Sequence, residues 1–225
     1  MRYFTSDLHL GHRRIVEFCS RPFADSDEMD HALVATWNTT VGEADEVWVL
    51  GDLALGDLER SLRLVQQLHG RIVLVPGNHD RPWPGYRQAR DAVPGDRHVA
   101  RDRARAMESR QRYLDNGIDQ LLVVDQGERP VETVVGGHTV VVSHFPYLGV
   151  EDHVGEQRHE EWWPTDDGST WLLHGHVHRL FRQRGRMVNV GIDAWGGRLV
   201  AETEVARLMA DGPEDRDLLP WHRPD

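Results

Sequence analysis

Five short segments of the sequence combine carboxylate, imidazole and amide side chains that could bind metal ions. The segments are Asp7-Leu8-His9, Gly51-Asp52, Gly77-Asn78-His79-Asp80, Ser143-His144 and Gly175-His176-Val177-His178. In an Asp-x-His or His-x-His pair that leaves a strand, alternate side chains point the same way, so both members can approach one metal centre. These residue types therefore indicate a metal site assembled from several parts of the chain.

One of these residues, Asp52, is suited to join two metal ions, because a carboxylate can bridge two cations. Two cations about 3.5–4 Å apart would clamp an in-line displacement at phosphorus and acidify a shared water. Gly51, Gly77 and Gly175 lie beside the polar residues, where the lack of a Cβ permits sharp turns and close backbone approach. Such a pair of metal ions would suit a displacement at phosphorus.

Each segment follows a short apolar run that predicts a strand buried on both faces. The runs are Arg2 to Thr5, Glu46 to Leu50, Arg71 to Val75, Thr139 to Val142 and Trp171 to Leu173, with a sixth at Met187 to Val190. In sheets with helical crossovers, ligands bind beyond the carboxyl ends of the strands. We therefore expect the five segments to share one cleft.

Helical patterns separate the first strands. Met29, Leu33 and Trp37 recur every fourth residue. A second helical spacing precedes Gly70, which suits the residue after a helix end, and consists of Leu55, Leu58, Leu62, Val65 and Leu68. The alternation of strand and helix predicts a sheet with helices on its faces.

Glycine pairs replace helices as connectors in the second half of the chain. Gly136-Gly137 and Gly196-Gly197 each separate two strand-like runs, and Arg184-Gly185 is a third candidate turn. All three predict hairpins. The second half should therefore be more antiparallel, giving two packed mixed sheets flanked by helices.

Composition limits the classes of protein that fit. A length of 225 residues favours one domain over residues 1–225, with an irregular tail from about residue 211. The net charge of −11 argues against general nucleic-acid binding. The single cysteine, Cys19, excludes an intrachain disulfide and fits a reducing cytoplasm. Without a secretory pattern or an apolar run of about 20 residues, a cytoplasmic protein with no membrane partner is expected.

The segments DLH, GD, GNHD, SH and GHVH, in this order from Asp7 to His178, resemble the five motifs of the calcineurin-like metallophosphoesterases. The resemblance implies a four-layer α/β/β/α sandwich with two mixed sheets flanked by helices. It also implies a dinuclear site. One metal would be held by Asp7, His9, Asp52 and His178, and the other by Asp52, Asn78, His144 and His176. Asp52 would bridge the two together with a hydroxide.

The same resemblance gives roles to the residues beside the ligands. His79 falls where the family has a catalytic histidine that is not a ligand, placed to stabilise the transition state or protonate the leaving oxygen, and Asp80 would orient His79. The stretches SDLHLGHRRIVEFCSRPF and NVGIDAW are similar to small bacterial and phage-type members.

Departures from other branches of the family narrow the choice. The second motif reads GDLALGD without an Asp-Arg-Gly extension, and GNHD stands in place of GNHE, which disfavours a protein phosphatase. Only about 47 residues follow His178, too few for the extra domains of the family's DNA-repair nucleases.

Two residues after the first motif, His12 and Arg13, are candidate substrate contacts, because a helix start and a guanidinium both suit a phosphate. The alternatives are a plain helix-start histidine and a solvated arginine, and the solvated state is preferred for Arg14, Arg21 and Arg81.

Other notable side chains have two readings as well. His174 is interpreted as a buried core residue rather than a ligand. Trp162 and Trp163, with His153 and His159 in the long loop 146–170, either stack on a base or aryl group or pack onto the domain. The Arg-rich residues 97–112 predict one exposed helix.

The favoured function is hydrolysis of a phosphodiester or phosphomonoester of a nucleotide or small metabolite, by attack of metal-bound hydroxide with His79 assisting the leaving group. Four histidines in the ligand set favour Mn²⁺, with Fe²⁺, Zn²⁺ or Ni²⁺ as alternatives, over Mg²⁺. Two other functions stay open: a single-strand nuclease, and a catalytically silent scaffold of the same fold that binds a protein. The substrate and the oligomeric state are not determined by the sequence.

Overall fold

Two five-stranded sheets form the centre of the protein. The computed structural model describes residues 1–86, 107–124, 127–150 and 159–221. In chain order the strands are β1 (Arg2–Thr5), β2 (Glu46–Val49), β3 (Arg71–Leu74), β4 (Gln120–Leu121), β5 (Val131–Val135), β6 (His138–Val142), β7 (Trp171–His174), β8 (Gln183–Arg184), β9 (Met187–Asn189) and β10 (Val200–Ala201). The helices are α1 (Ile15–Phe18), α2 (Ser26–Thr40), α3 (Leu58–Val65), α4 (described over 107–114) and α5 (Glu202–Asp211), with a 3₁₀ turn at Glu160–Trp162.

The first sheet has the strand order β10-β1-β2-β3-β4, and its four strands from β1 to β4 are parallel. Side chains alternate between its two faces. Val47 and Val49 of β2 pack in a core with Met29 and Trp37 of α2, while Trp48 packs in the core on the opposite face. The predicted burial of both faces is therefore confirmed, because helices cover one face and the second sheet covers the other.

The second sheet has the order β5-β6-β7-β9-β8 and is mixed. Strands β5 and β6 form an antiparallel hairpin across Gly136-Gly137, and β8 and β9 form another across Arg184-Gly185, as predicted. The pairs β6–β7 and β7–β9 are parallel. Val140, Leu173 and Val188 meet Phe4 in the core between the sheets. The predicted α/β class with two mixed sheets flanked by helices is confirmed.

The helices follow their sequence patterns, with one shift. Asp25 caps α2 by accepting hydrogen bonds from the N–H groups of Asp27 and Glu28, both at 2.9 Å. Helix α3 ends at Val65, so Gly70 is not the residue that follows a helix end. Gly70 instead enters β3 with a φ of +80°, which glycine adopts at little cost.

The predicted hairpin at Gly196-Gly197 is wrong. The strand before it, β9, lies in the second sheet, and β10 after it pairs antiparallel with β1 in the first sheet. The glycine pair therefore carries the chain from one sheet to the other. The residues after Ala201 form α5, and Val205, Leu208 and Met209 of this helix place their side chains in the core between the sheets.

Several expectations lie partly outside the described residues. These are the first part of the Arg-rich helix (97–106) and residues 151–158 of the long loop, which include His153. The tail from 212 to 221 is irregular apart from isolated bridges from Arg216 to Gln183 and from Leu219 to Trp195. Within the described ranges, no helix has the length and apolar character needed to cross a bilayer.

Candidate metal centre

The five polar segments meet where the carboxyl ends of the two sheets come together. They follow β1, β2 and β3 in the first sheet and β6 and β7 in the second. Backbone hydrogen bonds fasten the loops to one another: Asp7 N–H donates to the Gly51 carbonyl at 3.0 Å and His9 N–H to the Asp52 carbonyl at 2.9 Å. The structure thus brings the segments into one cleft, as the strand-end argument predicts.

The backbone at these positions is held in a conformation that L-residues rarely adopt. Five of the seven candidate ligands have positive φ: Asp7 (58°), His9 (56°), Asp52 (54°), His176 (70°) and His178 (44°). Each such residue costs on the order of 1–3 kcal/mol and persists only where surrounding structure fixes it. Residues in this strained conformation cluster at functional sites, so five of them among the candidate ligands fit a functional site.

Asp7, His9 and His178 form what we call the first half of the site. The Nε2 atom of His9 lies 3.9 Å from Oδ1 of Asp7, and Nε2 of His178 lies 4.0 Å from the same oxygen. The two imidazole rings stack with centroids 5.1 Å apart. These separations are too long for hydrogen bonds and leave room for a cation among the donor atoms.

Asn78, His144 and His176 form the second half. The backbone carbonyl of Leu50 can only accept, so Nδ1 of His144, 2.8 Å away, carries the proton. In the neutral ring, Nε2 of His144 therefore presents a lone pair toward Oδ1 of Asn78 at 2.9 Å. The His176 ring lies 5.1 Å from the His144 ring. Because both Nε2 of His144 and Oδ1 of Asn78 are then acceptors, their closeness suits a cation bound by both.

Asp52 lies between the halves. Its Oδ2 is 3.5 Å from Nε2 of His9 and 3.6 Å from Nε2 of His144. Its other oxygen accepts a hydrogen bond from the His79 N–H at 2.9 Å. Burial opposes the charged form of Asp52, but His144 and the neighbouring histidines outweigh burial and lower the pKa of Asp52. The carboxylate is thus ionised and placed to contact both halves.

His9 provides a direct test of whether a metal fits. Its side chain is buried, and neither ring nitrogen has a hydrogen-bond partner among the described residues. Burial, and next the adjacent His178, hold the pKa of His9 well below its ordinary value, so the ring is neutral. Unpartnered buried nitrogen atoms are costly, and a neutral imidazole is the form that binds metals. The donor set therefore fits divalent cations: donor atoms of Asp7, His9 and His178 lie within 4.8 Å of one another, and so do those of Asp7, Asp52 and His144.

An ion pair that the sequence reading missed supports the first half. Nδ1 of His178 lies 2.9 Å from Oδ2 of Asp193. Arg21 binds both oxygens of Asp193, at 2.9 and 2.8 Å, and also donates to the carbonyls of Asp7 at 2.6 Å and Leu8 at 2.9 Å. Arg21 was expected to be solvated, which is wrong, since only 3% of it is exposed. A carboxylate of this kind fixes the orientation of a ligand histidine.

The charges of this trio are coupled. Burial opposes the ionised form of Asp193, but Arg21 and the hydrogen bond to His178 hold the pKa of Asp193 well below its usual range. Burial likewise opposes the charged form of His178, but Asp7 and Asp193 raise its pKa. The only sequence signal for this support was NVGIDAW, whose aspartate had no assigned role.

Asp80 does not take the place expected for it. Its carboxylate is buried and accepts hydrogen bonds from the backbone N–H groups of Asp52 (2.7 Å), Leu53 (3.1 Å) and Gly77 (2.9 Å). Among the described residues, it has no hydrogen bond to the His79 ring. Burial, and next Asp52, raise the pKa of Asp80 to about 7. Asp80 therefore joins the second and third loops and positions Asp52, and its expected role of orienting His79 is corrected.

His79 is exposed at the rim, with its ring 5.6 Å from that of His9. His12 is half-buried with its ring 5.4 Å from His9, and burial, followed by His79, lowers its pKa. The structure thus brings His12 to the site. Arg13 is exposed and forms no hydrogen bond to another described residue.

The remaining sequence candidates belong to the core. His174 is fully buried, its Nδ1 lies 2.8 Å from the Gly175 carbonyl, and burial lowers its pKa to about 3, which confirms the core interpretation. Trp163 is buried in a cluster with Trp83 and Phe145, and Trp162 packs against that cluster.

A buried Asp-His-Asn cluster at the shared carboxyl edge of two mixed sheets defines a class of metal-binding α/β proteins. Within that class, residues 3–180 match the model of the calcineurin-like phosphoesterase family, and the chain belongs to this family. Membership implies metal-dependent hydrolysis of phosphoesters. It also confirms the resemblance stated from the five motifs.

Similar proteins of nearly the same length occur in phages. The gene 66 protein of Mycobacterium phage L5 is 38% identical over 216 residues, which cover 92% of this chain and 93% of that protein. The gene 66 protein of Mycobacterium phage D29 is 37% identical over 217 residues, covering 93% and 96%. Among solved structures, the protein of unknown function AQ665 from Aquifex aeolicus has a similar fold, with a TM-score of 0.60 at 19% identity over 92% of this chain and 98% of that one.

Proposed function

We propose that the protein is a dinuclear metal-dependent phosphoesterase that hydrolyses a phosphodiester or phosphomonoester of a nucleotide or small metabolite. The observation that supports this most strongly is the position of Asp52. One oxygen of this single carboxylate lies 3.5 Å from a histidine of the first half and 3.6 Å from a histidine of the second. A residue placed in this way suits two adjacent metals better than one.

Two divalent cations at this site would stabilise the charge that develops on a phosphoryl group and acidify a water. The chain's own residues supply the rest. Asp80 and the strained backbone fix the position of Asp52, and the Arg21–Asp193 pair fixes the ring of His178. Phosphoryl transfer depends mainly on such positioning and charge stabilisation.

His79 is the proposed general acid. Its backbone N–H is fastened to Oδ1 of Asp52, and its side chain is exposed beside the ligands. The exposure of His79 beside the candidate ligands supports a role for its imidazole next to a bound phosphate rather than as a ligand. The imidazole could donate a proton to the departing oxygen, a step that contributes about 10²–10⁴-fold in enzymes.

The test compares His79→Ala with the wild type on two esters that share the same transferred phosphoryl part. One ester has a poor alkoxide leaving group and the other an acidic nitrophenol, and kcat/KM is measured for both. We expect a loss of about 10²–10⁴-fold on the alkyl ester and a clearly smaller loss on the aryl ester, because nitrophenolate departs without a proton.

Metal content of the His79→Ala protein is the control, and both metals should stay bound. Equal losses on the two esters with metal intact would mean that His79 stabilises phosphoryl charge instead of donating a proton. Loss of metal would show that His79 is a ligand and would overturn its proposed role.

The nuclease alternative is less favoured. Trp163 is 5% exposed and Trp162 packs against the same cluster, so the two rings do not form an open platform for the successive bases of a strand. The silent scaffold would be favoured if no phosphomonoester, linear diester or cyclic nucleotide were hydrolysed with any divalent metal.

A further inference from the structure

A cavity of about 420 Å³ lies beside the second half of the metal centre. It opens where β3 and β6 end, so it is formed at the same edge of the sheets as the site itself. Its floor contains Val75, Leu122 and Val142, and its walls include Trp83, Trp162 and Trp163. A largely apolar cavity of this size is typical of a site for the organic part of a small molecule.

An aromatic wall joins this cavity to the predicted ligands. His144 lines the cavity, and the adjacent Phe145 ring lies 5.1 Å from the His144 ring and 4.9 Å from the His176 ring. Trp163 stacks on Phe145 with centroids 6.1 Å apart and an interplanar angle of 19°. A molecule with its phosphate at the metal centre would therefore extend its next group along these rings.

The charges around the cavity restrict what that group can be. The described residues that line it include the carboxylates of Glu128 and Glu161, and they include no arginine. A second phosphate would face these carboxylates, and no arginine among the described lining residues could pair with it. The indole N–H of Trp162 is buried and has no acceptor among the described residues, which is costly unless a ligand supplies one.

We infer that this cavity binds an uncharged, planar aromatic group carried by the phosphoester, either an aryl group joined directly to the phosphate or a nucleobase joined through its sugar. The inference rests on the proposed function, because it assumes that the phosphate lies at the metal centre. Tryptophan faces suit planar rings, and three tryptophans line this cavity.

The test measures binding to the metal-loaded full chain by calorimetry, so that it does not depend on turnover. The probes are three hydrolytically inert phosphonates of similar charge: methylphosphonate, naphthylmethylphosphonate and a phosphonate analogue of adenosine monophosphate. We expect at least one of the two aromatic probes to bind about tenfold more tightly than methylphosphonate. The one that does so identifies the aryl or the nucleoside source.

Trp162→Ala should remove most of this preference and leave the affinity for methylphosphonate unchanged, and Trp162→Phe should retain part of it. The matched control is Trp171→Ala, at the amino end of β7 and therefore at the opposite edge of the sheet. Equal affinity for all three probes, or a preference that survives Trp162→Ala, would overturn the inference. Absence of hydrolysis with the aromatic preference intact would instead count against the proposed function alone.

Discussion

The two halves of the candidate metal centre are built in different ways. In the first half, Asp7, His9 and His178 are at most 5% exposed, and behind them lies the buried Arg21–Asp193 pair. In the second half, Asn78 is partly exposed, and a backbone carbonyl rather than a charged pair fixes His144. The second half also adjoins the aromatic cavity.

The difference separates two tasks. A buried charged pair holds geometry at a cost in desolvation, and that arrangement suits a part of the site whose main task is to keep a ligand in position. Backbone support and the partial exposure of Asn78, beside the cavity, leave space for the organic part of an incoming molecule. We therefore expect the first half to contribute more to metal retention, and the second half to contribute more to binding the organic part of the substrate.

The largest effect should come from the residue that the halves share. Asp52→Asn removes the charge that offsets two neighbouring cations, so it should lower bound metal more than His9→Ala does and reduce activity by more than about 10³-fold. Elemental analysis of both purified variants measures this. Two metals retained at wild-type occupancy in the Asp52 variant would rule out bridging.

A smaller effect should follow from weakening the support of the first half. Asp193→Asn keeps the shape of the side chain but weakens its bonds to His178 and Arg21, so metal affinity should fall by about 10–100-fold. Titration of metal-stripped protein with Mn²⁺ measures the change. Asp211→Asn, which removes an ion pair with Arg216 at 3.0 Å on the surface, is the control and should bind metal normally. Unchanged affinity in the Asp193 variant would contradict the difference between the halves.

Metal preference tests a property that both halves share. Each half contains two histidines, and imidazole suits Mn²⁺, Fe²⁺, Zn²⁺ or Ni²⁺ better than Mg²⁺. Metal-stripped protein should therefore be at least about tenfold more active with Mn²⁺ than with Mg²⁺. Full recovery of activity with Mg²⁺ alone would put the ligand assignment in doubt.

The smallest effect concerns stability behind the first half. Asp30 of α2 is buried, accepts the Gly11 N–H with both oxygens at 3.1 Å, and has a pKa that burial raises from 3.8 to about 6. A raised carboxyl pKa contributes stability below about pH 4 that is lost as the pH rises through about 6. Asp30→Asn does not ionise, so its stability relative to wild type should rise between pH 4 and 7.

Urea unfolding of both proteins at several pH values measures this difference. Asp27→Asn on the same helix should show no rise between pH 4 and 7, because the hydrogen bond to Arg60 lowers the pKa of Asp27 and its pH dependence therefore lies below about pH 4. A difference between wild type and Asp30→Asn that does not change with pH would mean that Asp30 is ionised without cost.

The sequence predicted most of what depends on neighbouring residues. Strand ends, hairpins at Gly136-Gly137 and Arg184-Gly185, and the apolar face of α2 all follow from local patterns, and the structure confirms them. Gly196-Gly197 was mistaken for a hairpin, because a hairpin turn within a sheet and a connection between two sheets both use glycines with positive φ. Here the connection leads to the other sheet, because β10 pairs with β1 rather than with β9.

By itself the sequence determined which side chains stand at the strand ends, because spacing along a strand decides which residues emerge together. Only the tertiary structure decided how they are supported. Arg21 and Asp193 are 172 residues apart, and neither carries a local mark that distinguishes a buried partner from a solvated charge. The role of Asp80 was decided in the same way, since its backbone partners Asp52 and Leu53 come from another loop. Contacts between distant segments produce no repeating pattern in the sequence. The burial and pairing of Arg21 and Asp193 are therefore set only when the two sheets pack together.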